Sequence, residues 1–275
     1  DLAWAAGDAQ AKGFLIGATS GRTTLNGEGL QHQDGHSHIL SSTIPNCLSY
    51  DPAFSYEVAV IIKDGIQKMY VDQKNYFYYI TTTNENYEHP PMPKDSEEGI
   101  IKGMYKILGS KKSVIRLLGS GSILRESIKA RDILSSYKIE SEVWSVTSFN
   151  LLRKDGMEVE RFNQLNPSSN EKKSYVEECF SINPMPVIAS TDYMRSYADQ
   201  IRPYINEDFT VLGTDGFGRS DSREMLREFF EIDANSIVRA SAYSLYKSGN
   251  LEKDILDKIY KDIGVDSEKV NPWEA

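Results

Sequence analysis

Cysteine and histidine are scarce in this chain. The two cysteines, Cys47 and Cys179, stand far apart in unlike contexts, which excludes a disulfide framework and a cysteine-based zinc site. They point instead to reduced thiols in a cytoplasmic protein. No apolar run is long enough to span a membrane. No basic stripe offsets the net charge of −9, so nucleic acid is excluded as a main partner along with the membrane. Gly-x-Ser-x-Gly is absent, which removes the nucleophile elbow of a hydrolase. The turn Leu118-Gly-Ser-Gly-Ser122 lacks the remainder of G-x-G-x-x-G and any P-loop lysine, and reads as a structural turn. There is no initiator methionine and no signal peptide, and Leu2-Ala-Trp-Ala-Ala reads as the middle of a helix. The expectation is a piece of a longer chain.

What is present is concentrated. Of four histidines, three (His32, His36, His38) fall in the stretch Gly21 to His38, GRTTLNGEGLQHQDGHSH, among four glycines and a dense set of polar side chains. This stretch has neither the helical nor the strand apolar period, yet it lies between apolar segments. A long polar loop in such a place usually carries function, because ordering it gains little core. Three readings remain open: a metal site, a hydrogen-bonded surface loop, or an active-site loop whose imidazoles bond a small anion and exchange protons near neutral pH.

Along the chain, 275 residues suit one large or two ordinary domains. Residues 46–50 read as a buried strand. Asp51-Pro52 follows as the cap and first residue of a helix to about Val71, and 76–82 is a strand buried on both faces. The proline-rich connector Asn84–Pro93 continues neither element, and its His89 reads as a solvated loop residue. Helices are expected over 97–108, 122–136, 149–153, 170–180, 192–204, 220–230, 235–248 and 251–263. Ser220 or Asp221 is expected to cap the helix over 220–230. Strands are expected over 113–118, 142–147, 186–189 and 210–213. This alternation predicts an α/β fold with a mostly parallel, doubly wound sheet.

The polar loop is followed by TIPNCLSYDPAFSYEVAVIIKDG, YYITTTNENY, LLGSGSILR, VWSVTSFNLLRKDG, ASTDYMR, VLGTDGFGRSDSRE and KVNPWEA. In this order, over essentially the whole chain, these motifs resemble the homodimeric bacterial pyruvate dehydrogenase E1 components of the transketolase superfamily. The resemblance implies that residues 1–83 are the later part of a middle, pyrimidine-binding domain. It further implies a linker at 84–96 and a transketolase C-terminal-like domain at 97–275. It implies a parent enzyme that decarboxylates pyruvate with thiamine diphosphate and Mg²⁺ and acetylates the lipoyl groups of its E2 partner. His32 and His38 are the expected catalytic residues, and His32 and His36 the expected substrate-binding ones. A Gly-Asp-Gly followed by Asn-Asn, the superfamily's diphosphate and Mg²⁺ signature, is missing, so this piece alone is expected to be inactive. The alternative is a non-catalytic scaffold and dimerisation module.

Overall fold

Two separate sheets share the chain, and no strand falls between residues 82 and 103. The structure is a computed structural model describing residues 1–18 and 20–275. Helix α1 (Leu2–Asp8) leads to strand β1 (Phe14–Gly17). After the polar loop come α2 (Ser37–Ser41), β2 (Cys47–Tyr50), α3 (Ser55–Ile66) and β3 (Phe77–Thr81). The three strands pair in the order β1-β3-β2, all parallel. The aromatic and β-branched run of β3 takes the central place, where both faces of a parallel strand are covered.

The second sheet belongs to the rest of the chain. Its elements are α4 (Glu97–Lys102), β4 (Met104–Leu108), β5 (Ile115–Gly119), α5 (Leu124–Ser136), β6 (Ser141–Val146), α6 (Phe149–Leu165) and α7 (Tyr175–Phe180). They continue with β7 (Val187–Ser190), α8 (Arg195–Asp199), β8 (Phe209–Leu212), α9 (Arg223–Phe229), α10 (Ala234–Lys247) and α11 (Lys253–Asp262). Strand order is β4-β6-β5-β7-β8, parallel except for β4. Leu117, Leu124, Leu134 and Ile237 pack one face, and Leu118, Val146, Phe149 and Tyr197 the other. Apolar helices on both faces make the expected doubly wound sheet.

Several expected boundaries move, each for a physical reason. The helix over 97–108 splits, because Gly103 adopts φ +117 and lets the chain reverse into β4. Helix α6 runs seventeen residues where only 149–153 was expected, and the expected helix 192–204 contracts to α8 plus a 3₁₀ turn at Arg202–Tyr204. Ser222, not Ser220 or Asp221, caps α9 by accepting from the Met225 amide.

Asp51 does not cap α3, which starts four residues later. The Glu57 carboxylate reaches back instead to the amides of Ala53 (2.5 Å) and Phe54 (2.9 Å). It also accepts from the hydroxyls of Tyr105 (2.7 Å) and Ser145 (2.6 Å), so this fully buried group ties α3 to β4 and β6. His89, exposed and stacked on Tyr87, accepts from the Ser55 amide at 2.9 Å and completes that helix start.

Candidate active site at the seam between the sheets

The first half of the glycine-rich loop is not solvated: Ser20 to Leu25 are buried against the second half of the chain. Asp192, just beyond β7, accepts from the Thr23 amide (3.1 Å) and hydroxyl (2.8 Å). From α9, Arg223 donates to the Thr24 carbonyl (2.8 Å) and Arg227 to the Thr23 hydroxyl (3.3 Å). Farther along, the Gly27 amide donates to the Asp221 carbonyl, and the Gln33 carboxamide pairs with both backbone groups of Arg219. The Met194 amide closes the clasp on the Gly35 carbonyl. Gly21 shows why glycine is required here. It has φ +85, and a Cβ there would stand 2.1 Å from the Asp192 carboxylate. These bonds satisfy backbone groups that a polar segment buried without regular structure would otherwise leave unpaired.

The three clustered histidines part company. His32 ends a 3₁₀ turn (Leu30–His32) with its side chain exposed. His36 is exposed too, and its amide, like that of Ser37, donates to Asp34 at 3.0 Å, which starts α2. His38 turns inward and is fully buried, stacked on Tyr197 and edge-on to Tyr193. Its Nε2 lies 3.0 Å from the Thr81 hydroxyl, whose own proton goes to the Asp51 carboxylate (2.8 Å). With Asp51 ionised, this arrangement assigns the imidazole proton to Nε2, and Nδ1 has no partner. Burial, opposed only weakly by Asp34, pushes the His38 pKa down to about 3. It is therefore a neutral imidazole shielded from solvent, while His32 and His36 are the ones a small molecule can reach. No hydrogen bond or ring contact joins any two of the three among the described residues.

The residues missed in the sequence are carboxylates. Asp51 and Asp192 are both buried, and burial pushes each carboxyl up to about 7. Asp51 sits in an Asp-Pro pair that imitates a helix start, and Asp192 sits at a strand end; only tertiary contact brings them together. Glu85, inside the connector, is another: it pairs with Arg125 (2.6 Å) and Arg227 and so fastens the connector to α5 and α9.

Comparison with known proteins adds to this geometry. The pyruvate dehydrogenase E1 component middle domain matches residues 1–90, and the transketolase-like C-terminal domain matches residues 103–233. The pyruvate dehydrogenase E1 component of Pseudomonas aeruginosa is 56% identical over 280 residues, covering 100% of this chain and 32% of that relative. That of Escherichia coli strain K12 is 54% identical over 277 residues, covering 99% and 31%. The chain belongs to the pyruvate dehydrogenase E1 component family. It spans about a third of the length of the curated relatives it matches. A transketolase from Campylobacter jejuni superposes with a TM-score of 0.66 at 18% identity, covering 86% of this chain and 32% of that one, which shows the transketolase fold.

Members of this family and of the transketolases use thiamine diphosphate. Among the described residues no group of three or more His, Cys, Asp or Glu side chains could hold a divalent ion. Arg22, the loop's buried cation, is engaged by the Gln33 carbonyl and the field of Asp34. Also among the described residues, no helix is long and apolar enough to cross a membrane.

Proposed function

We propose that this chain is the substrate-loop-bearing third of an enzyme that decarboxylates pyruvate with thiamine diphosphate and reductively acetylates the lipoyl groups of E2. The parent works in the cytoplasm as a homodimer. Mg²⁺ and the cofactor are held by parts of the parent outside this chain, which alone is inactive. Residues 1–83 are the later part of its middle domain, 84–96 the linker and 97–275 the C-terminal domain. The observation that carries this reading is the clasped loop: its backbone is pinned at Thr23, Gly27, Gln33 and Gly35 while His32 stays free and exposed. A pinned loop with a free imidazole is suited to hold a proton donor against a small anionic substrate. His36 is the second substrate-facing group, and His38 acts from behind as a positioning residue through Thr81 and Asp51.

The test is His32→Ala in the full-length enzyme. Loss of a positioned proton donor lowers the decarboxylation rate by about 10²–10⁴. An exposed imidazole buries little area, so the thermal midpoint stays nearly constant. An unchanged rate with a lowered midpoint would make His32 a structural residue.

A further inference from the structure

Between β8 and α9, residues 213–222 have no regular structure and run against the substrate loop. The ends of this turn are tied. The Thr214 amide donates to the Tyr193 carbonyl (2.8 Å), and Asp215 accepts from the Arg195 amide and pairs with its guanidinium at 3.1 Å. At the other end Arg219 stacks over Phe229 at 4.2 Å, and its backbone makes two hydrogen bonds with the Gln33 carboxamide. The middle is different. Among the described residues the amides of Gly216, Phe217 and Gly218 make no hydrogen bond, and the Phe217 side chain is 85% exposed. Gly216 has φ +105, a conformation that glycine reaches freely and can leave as freely. Such a stretch keeps one path only where other segments pack against it.

Two segments do so. A Cβ on Gly218 would stand 2.5 Å from Gln33 Oε1 and 2.9 Å from the Leu30 carbonyl oxygen, so this glycine lies directly against the substrate loop. A Cβ on Gly216 would stand 3.0 Å from the Pro272 carbonyl oxygen and 3.1 Å from the Trp273 Cα. The turn is therefore packed between the loop and residues 272–273. Pro272 is buried there, and the Trp273 ring lies 5.6 Å from the Arg195 guanidinium that pairs with Asp215. The neighbour of Arg195, Met194, is the residue whose amide holds the Gly35 carbonyl. Upstream, Lys269 fastens the segment to α9 by donating to the Glu228 carbonyl (2.5 Å). Pro272 and Trp273 thus bear on two attachments of the loop. One is at Gln33, through the turn, and the other is at Gly35, through Arg195 and Met194.

We propose that Pro272 and Trp273 are positioning residues for the decarboxylation, holding residues 30–35, and His32 with them, in working position through the 213–219 turn. The inference rests on the substrate-facing reading of His32, and two readouts on the full-length enzyme separate the two ideas. Deleting residues 272–275 will strip hydrogen-exchange protection from residues 27–35, while strands β5 and β7 keep theirs. The same deletion will lower kcat by about 10- to 100-fold, the cost of a catalytic group displaced by about 1 Å. In a His32→Ala enzyme it will lower kcat no further, because both changes remove the same contribution. Trp273→Ala will act in the same direction, and Trp273→Phe, which keeps a ring over Arg195, will restore the wild-type rate. Unchanged exchange over 27–35 after the deletion would overturn the proposal whatever the rate. Where His32→Ala is slow, a deletion that leaves kcat unchanged, or lowers it equally in both backgrounds, would overturn it too. A fast His32→Ala enzyme would instead remove the reading of His32, and exchange would still decide whether this segment holds the loop. If the shortened enzyme fails to fold, Trp273→Ala and Trp273→Phe carry the same measurements.

Discussion

Burial holds the His38 imidazole neutral down to a pH of about 3, whereas a free one takes its proton near 6.5. In the unfolded chain that proton binds first. The stability contributed by neutral His38 is therefore fully present above 6.5 and is lost as pH falls through this window. Asp51 and Asp192 act with the opposite sign: raised to about 7, they cost stability as pH climbs from 3.8 towards 7. Replacing His38 by Asn in the full-length enzyme should remove about one proton from the uptake on acid unfolding. Thermal midpoints between pH 4 and 6.5 will fall less steeply in the variant than in the wild type. An unchanged slope would mean that His38 stays charged inside the fold. Sequence alone reveals that three histidines cluster, but not that one of them turns inward. The inward turn depends on Tyr193 and Tyr197, which lie more than 150 residues away along the chain. Periodicity over a five-residue helix is too short to report it.

Among the elements, those with long apolar periods were legible: α3, α5, α10 and the central strands stand close to where the pattern puts them. Strand β4 was not. Its apolar residues continue those of α4 with no change of period, and the break between them is a single glycine. Gly103 carries φ +117, and a Cβ there would approach the Ser148 carbonyl to 2.7 Å. Gly103→Ala should accordingly destabilise the fold by about 1–3 kcal/mol, read as a lower midpoint in denaturant with an unchanged slope. A neutral substitution would show that the edge strand tolerates a different turn. The Asp51-Pro52 misreading has a related cause: a good capping residue is also a good buried hydrogen-bonding group, and Thr81 won the competition.

For the molecule as a whole, the two sheets could be foretold from alternation of elements, but the seam between them could not. The connector read only as a polar, proline-rich boundary, and Glu85 and Tyr87 anchor it, through Arg125 and Arg227 and through the Ala53 carbonyl. This chain, mixed with thiamine diphosphate, Mg²⁺ and pyruvate, should give neither turnover nor sub-micromolar cofactor binding in calorimetry. Either result would move the diphosphate ligands into residues 1–275. The bonds that clasp the polar loop also have a consequence in time. Thr23 waits for partners at 192 and 227, up to 204 residues downstream. A ribosome adding about 5–20 residues per second needs about 10–40 s to supply them. Stalled nascent chains ending before Asp192 should therefore be cut by protease within residues 20–35, and longer ones protected. The loop is made early and finished late, so a ribosome that aborts downstream leaves His32 and His36 without their frame.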